Sequence, residues 1–60
     1  MKAIVYTLLG REWIQRESKI VSSRSEINKY CDKVSRKYAR SSGVLVEVYE
    51  GDRIIESNMM

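Results

Sequence analysis

From Lys2 to Leu9, apolar and β-branched residues fill both alternating faces, with Ala3, Val5, Thr7 and Leu9 on one and Ile4, Tyr6 and Leu8 on the other. A strand written this way is flanked on both sides and belongs toward the middle of a sheet. Gly10-Arg11 interrupts the run. From Glu12 to Val21 it resumes more thinly, with Trp13, Ile14, Ile20 and Val21 separated by Gln15, Arg16, Glu17, Ser18 and Lys19. That spacing predicts a second, more exposed strand with an irregularity in its middle.

The periodicity then changes. Ile27, Tyr30, Cys31, Val34 and Tyr38 recur at helical intervals and form one stripe, which predicts a helix from about Arg24 to Arg40 packed on a sheet. Ser23 followed by Glu26 fits a capping box, in which each side chain satisfies the other's free backbone N–H. Lys33, Arg36, Lys37 and Arg40 crowd the last two turns, where the helix dipole favours positive charge. Ser41-Ser42-Gly43 follows, and Gly43 suits a left-handed cap.

The remainder reads as a hairpin: Val44 to Tyr49, a turn centred on Gly51-Asp52, then Arg53 to Ser57. With those two residues as the loop, Val48 faces Ile55, Val46 faces Ser57, Tyr49 faces Ile54 and Glu47 faces Glu56. The core side is then Val44, Val46, Val48 and Ile55. The other face carries Leu45, Tyr49 and Ile54 beside two opposed carboxylates. The expected fold is α+β, a small antiparallel β-sheet with one amphipathic helix packed on one face, in the order ββαββ. Sheet order stays open at this level.

Sixty residues leave room for one core, so residues 1–60 form a single domain. The chain is 43% hydrophobic and 32% charged, a composition that folds. Cys31 is the lone cysteine and there is no histidine, so neither an internal disulfide nor a Cys/His zinc site is available. This points to a reducing, cytoplasmic setting. Lys2 to Leu9 runs into Gly10-Arg11-Glu12 without a small-residue cleavage pattern, and nothing approaches the ~20 apolar residues of a membrane span.

The residues carry little catalytic chemistry. Without histidine the commonest general base is missing. Cys31 lies on the apolar stripe and reads as a small core hydrophobe. Glu47 and Glu56, if opposed, are the right kind of pair for a shared proton or a metal; the plainer reading is two solvated carboxylates. The isolated glycines make no phosphate loop. The expectation is a binding protein, not an enzyme, with no cofactor and no metal.

Two surfaces are candidates for binding. One is the basic helix end, Lys33, Arg36, Lys37 and Arg40, suited to phosphates or to an acidic protein groove. The other is Trp13, Leu45, Tyr49 and Ile54, which a fold with one helix leaves uncovered. The formal charge of +3 favours anionic partners but is small for a dedicated nucleic-acid binder.

The first strand Lys2-Ala3-Ile4-Val5-Tyr6 followed by Gly10, Tyr38-Ala39 near the helix end, and the segment Val46 to Glu56 resemble the Dmd proteins of T4-like bacteriophages. The resemblance spans nearly the whole chain as a pattern of residue classes. It implies an antitoxin that binds a host endoribonuclease toxin of the RnlA and LsoA kind, plugs its groove and protects phage mRNA. It further implies a partner-binding aromatic in mid-helix and an amide near the helix end. Aligned without gaps, those places hold Cys31 and Arg40, with Tyr30 the neighbouring aromatic. The expected contacts are thus Tyr30, Cys31, Lys33, Arg36, Lys37 and Arg40, on a chain that is monomeric before the complex forms. The alternative is a small basic RNA- or DNA-binding module, although the sequence shows no paired stacking aromatics on adjacent strands. A subunit that self-associates through a sheet edge is a third reading.

Overall fold

The computed structural model describes residues Met1–Met60. Its elements are β1 (Lys2–Leu9), β2 (Glu12–Ile20), α1 (Arg24–Lys37), β3 (Val44–Glu50) and β4 (Arg53–Met59). They form a four-stranded antiparallel sheet in the order β2-β1-β3-β4, with the helix on one face. The strand read as doubly flanked, β1, is central. Because β2 and β3 both run against β1, the helix carries the chain over β1 from an edge strand to an inner one.

Each hairpin turns on two residues with glycine first. Gly10 and Gly51 have φ of 64° and 63°, while no non-glycine residue has positive φ. Positive φ at the first loop position alone matches a type II′ turn, whose twist suits the flanking strands.

Ile27, Tyr30 and Val34 of α1 pack with Ala3 and Val5 of β1, Val44, Val46 and Val48 of β3, and Val21 of the connector. Six of the ten buried residues are valines. Their short branched side chains suit the pleat and let the helix sit close. Each fully buried valine contributes about 1.5–3 kcal/mol, an upper figure because real unfolded chains are partly collapsed.

The expected irregularity in β2 is a β-bulge. Val5 pairs with Glu17 and Tyr6 with Gln15, so Arg16 is the extra residue, and its Nε donates to the buried Thr7 hydroxyl at 2.8 Å. A second bulge corrects the hairpin register. Tyr49 pairs with Ile54 as expected, but Val48 pairs with Glu56, Glu47 with Ser57 and Val46 with Asn58. Ile55 is the extra residue and stays exposed outside the core. Glu47 and Glu56 therefore lie on opposite faces, which removes the shared-carboxylate arrangement.

The slip places Glu56 on the helix side, where it accepts from Arg24 Nη1 and from Asn58 Nδ2 at 2.7 Å. The β2 bulge does the same for Glu17, which accepts from Tyr30 Oη at 2.9 Å, Lys37 Nζ at 2.7 Å and the Tyr38 hydroxyl. One carboxylate from each edge strand thus clamps one flank of the helix. The bonds from Lys37 and Tyr38 hold the Glu17 carboxyl down at about 2 against the desolvation that opposes them.

Ser23 is the N-cap, accepting from the Glu26 N–H at 3.2 Å. The return half of the box differs: Glu26 takes the Ser22 hydroxyl instead of the Ser23 N–H. The helix ends at Lys37, three residues short of the expected end, and Tyr38 leaves it at φ −109°. Gly43 is not a left-handed cap. Its carbonyl accepts from the Leu8 N–H at 3.0 Å, extending the β1–β3 ladder. A Cβ there would lie 3.2 Å from Trp13 Cη2, a tight contact that the indole could relieve only by shifting.

Candidate functional site

The basic helix end is only partly free. Tyr30 is 4% exposed, its ring in the core and its hydroxyl on Glu17. Lys37 is bound to the same carboxylate, and Arg36 pairs with Asp32 at 3.1 Å one turn earlier. Lys33 and Arg40 remain exposed without an ion pair, with Arg40 beyond the helix. Cys31 is half-buried on the β4 flank, with Asn58 Nδ2 3.9 Å from its sulfur. Burial and then Glu56 push its thiol up, which favours the protonated form. The six expected contacts therefore do not form one patch: Tyr30 and Cys31 face inward and Lys37 is committed to the clamp.

The sheet face away from the helix is different in kind. Alternation along each strand, fixed by the buried positions, sets its residues. β1 contributes Ile4, Tyr6 and Leu8, and β3 contributes Leu45, Glu47 and Tyr49. Trp13, Gln15, Ser18 and Ile20 extend it on β2; Ile54, Ser57 and Met59 extend it on β4. Ile20 is 72% exposed and Met59 70%. Leu45, Tyr49 and Ile54 are here as expected, together with Trp13, which lies beside Leu8 and over Gly43.

Charge is almost absent from this face. The chain has 11 basic and 8 acidic residues, and the strand registers place only Lys2 and Glu47 on the open side. The rest lie in turns, on the helix, beyond it, or on the helix side of the strands. The open face is therefore neutral and the remainder carries the whole +3. Interface centres show this composition, depleted in charge and enriched in aromatic and aliphatic groups.

Glu47 sits mid-strand between Ile4 of β1 and Ser57 of β4. The Tyr49 hydroxyl donates to its Oε1 at 3.1 Å. Tyr6 and Tyr49 are both held above the ordinary phenol range, first by burial and then by this carboxylate. The pairing places Tyr6 and Tyr49 on adjacent inner strands and the same face, opposite Leu45 and Lys2 respectively, so they stand on either side of Glu47 and are not a cross-strand pair. Tyr6 was hidden in the sequence because β1 reads as apolar on both sides; only its pairing with β3 sets it beside Glu47.

No pocket opens on the surface, and no group of three metal-ligating side chains occurs. No helix is long and apolar enough to cross a membrane. Comparison with known proteins finds no matching family model, no matching curated relative and no matching solved structure.

Proposed function

We propose that the chain is a protein-binding inhibitor of a host endoribonuclease toxin, phage-made and cytoplasmic, which acts by steric occlusion and catalyses nothing itself. The observation that carries the reading is the segregation of charge, which leaves one broad apolar and aromatic face beside a hydrophilic remainder. The toxin as partner rests on the resemblance to the Dmd proteins.

The same observation selects the docking surface. A ribonuclease groove that holds RNA phosphates is cationic. A chain of net charge +3 cannot imitate RNA there by its overall charge. It enters through the neutral open face, with Lys33 and Arg40 outside the contact.

The test is RNA cleavage by a purified toxin of this class, titrated with the chain. Stoichiometric protection at moderate and at raised salt supports the reading; cleavage unaffected at excess chain against every such toxin overturns it. One observation favours a second reading, a single-strand RNA platform: Tyr6 and Tyr49 share the open face of a four-stranded sheet, and sheet-based RNA readers stack bases on aromatics of such a face. A carboxylate between them and a single lysine on the face oppose it. Such binding would weaken steeply as salt rises.

A further inference from the structure

We infer that Glu47, bracketed by Tyr6 and Tyr49, is the receptor for one arginine side chain of the partner protein; this rests on the inhibitor reading above. Glu47 is the sole carboxylate on the open face and lies inside it, on an inner strand, with Ile4 on one side and Ser57 on the other. Any surface that covers the face strips water from this group. Desolvating an unpaired carboxylate is costly, so a partner that binds well brings it a cation. Lys2 makes no such demand, because it is exposed at the start of β1 and can keep its ammonium in water.

The surroundings select guanidinium over ammonium. Oε1 takes the Tyr49 hydroxyl, Tyr6 lies against the same carboxylate, and no basic side chain pairs with it. Two aromatic rings flank the carboxylate, offering faces on which a planar cation stacks while it donates to the carboxylate. Apolar neighbours lower the local dielectric and strengthen the bond. The occupant is thus a protein surface that offers one arginine to Glu47 and apolar groups to the residues around it. In a ribonuclease groove, such an arginine is one that otherwise holds an RNA phosphate, so occupying it removes a substrate contact as well as blocking access.

Two measurements separate this site from the inhibitor reading. In the first, the free chain is titrated by NMR with ethylguanidinium, with ethylammonium as control and Glu47→Gln as the variant. Saturable shifts at Glu47, Tyr6 and Tyr49, larger for ethylguanidinium and lost in the variant, are expected. Equal response to both cations, or none, overturns the inference. In the second, toxin inhibition by the parent is compared with Glu47→Gln, checked for native circular dichroism. A loss of roughly 20-fold or more is expected, since one partner of a buried charge pair is removed. Equal inhibition overturns the arginine receptor and leaves the inhibitor standing. If the parent inhibits no toxin while ethylguanidinium still binds at Glu47, the inhibitor reading falls and the site stands. If single-stranded RNA shifts the two tyrosines and ethylguanidinium does not, the face is a stacking platform and the inference falls.

Discussion

The Tyr38 hydroxyl donates to the Glu17 carboxylate across 21 positions of sequence, joining the residue that leaves the helix to the bulged edge strand β2. Tyr30 and Lys37 bind the same group, so one carboxylate fastens three points along the helix. In a chain with ten buried residues, that seam is a sizeable part of what holds the layers together.

Glu17→Gln should lower stability by about 1 kcal/mol, since one acceptor survives and solvent screens the part of the network that reaches Lys37. For a domain this small the melting temperature should fall by roughly 4–8 °C. The pH dependence follows in sign. Glu17 is held at about 2, below its ordinary value. Its contribution is therefore complete above the ordinary carboxylate range and is lost as the pH falls toward 2. Melts between pH 7 and pH 2 should show the parent losing more stability on acidification than Glu17→Gln. Parallel curves would contradict the clamp.

At the alkaline end the sign reverses. All four tyrosines are held above the ordinary phenol value: Tyr6 and Tyr49 first by burial and then by Glu47, Tyr30 first by burial and then by Glu17, and Tyr38 first by its bond to Glu17. Stability from the protonated phenols is present below the ordinary value and is lost as the pH rises through the folded values. An ultraviolet absorbance titration of the native chain should lag free tyrosine, and Glu17→Gln should bring Tyr38 forward and Tyr30 in part, since burial still holds Tyr30 up. A parent curve that follows free tyrosine would contradict these contacts.

Element types and their order were legible because they rest on local signals: the stripe Ile27, Tyr30 and Val34, the Ser23 cap, and Gly10 and Gly51 in two-residue loops. What escaped depends on contacts between distant segments. Ile55 has the composition of a core residue, and only the β3–β4 pairing shows it as the extra residue of a bulge. Gly43 follows a helix as caps do, yet what bears on it is the Trp13 indole from another hairpin. The candidate site divides the same way: Trp13, Leu45, Tyr49 and Ile54 were visible as uncovered apolar residues. Glu47 between two tyrosines required the β1–β3 register.

Gly43→Val should displace the Trp13 indole, because even a Cβ at this place meets the ring at 3.2 Å. The chain has one tryptophan, so its fluorescence reports this directly. Emission should shift to longer wavelength as the ring moves into water, with a stability loss of about 1 kcal/mol. Unchanged emission in a folded variant would show that the indole does not rest on Gly43.

Val34→Asp and Ile27→Asp should each abolish cooperative unfolding. Both residues are buried on the helix stripe, and an unpaired charge there costs several kcal/mol, a large share of what so small a domain possesses. Circular dichroism melts decide this. A cooperative transition near the parent's temperature in either variant would remove that residue from the core.

The central claim, that binding runs through the open face and not through the basic helix end, is tested by comparing two double variants in one toxin-cleavage assay. Ile20→Glu/Ile54→Glu puts charge on two exposed open-face positions, and Arg36→Glu/Arg40→Glu reverses charge at the helix end. Exposed substitutions usually change stability by only about 0.5 kcal/mol each, so both proteins should fold. The open-face variant should lose protection of the RNA by roughly tenfold or more, as expected for charges forced into an apolar contact. The helix variant should protect nearly as well as the parent. Full protection by the open-face variant, with loss in the helix variant, would move the inhibitory surface to the helix.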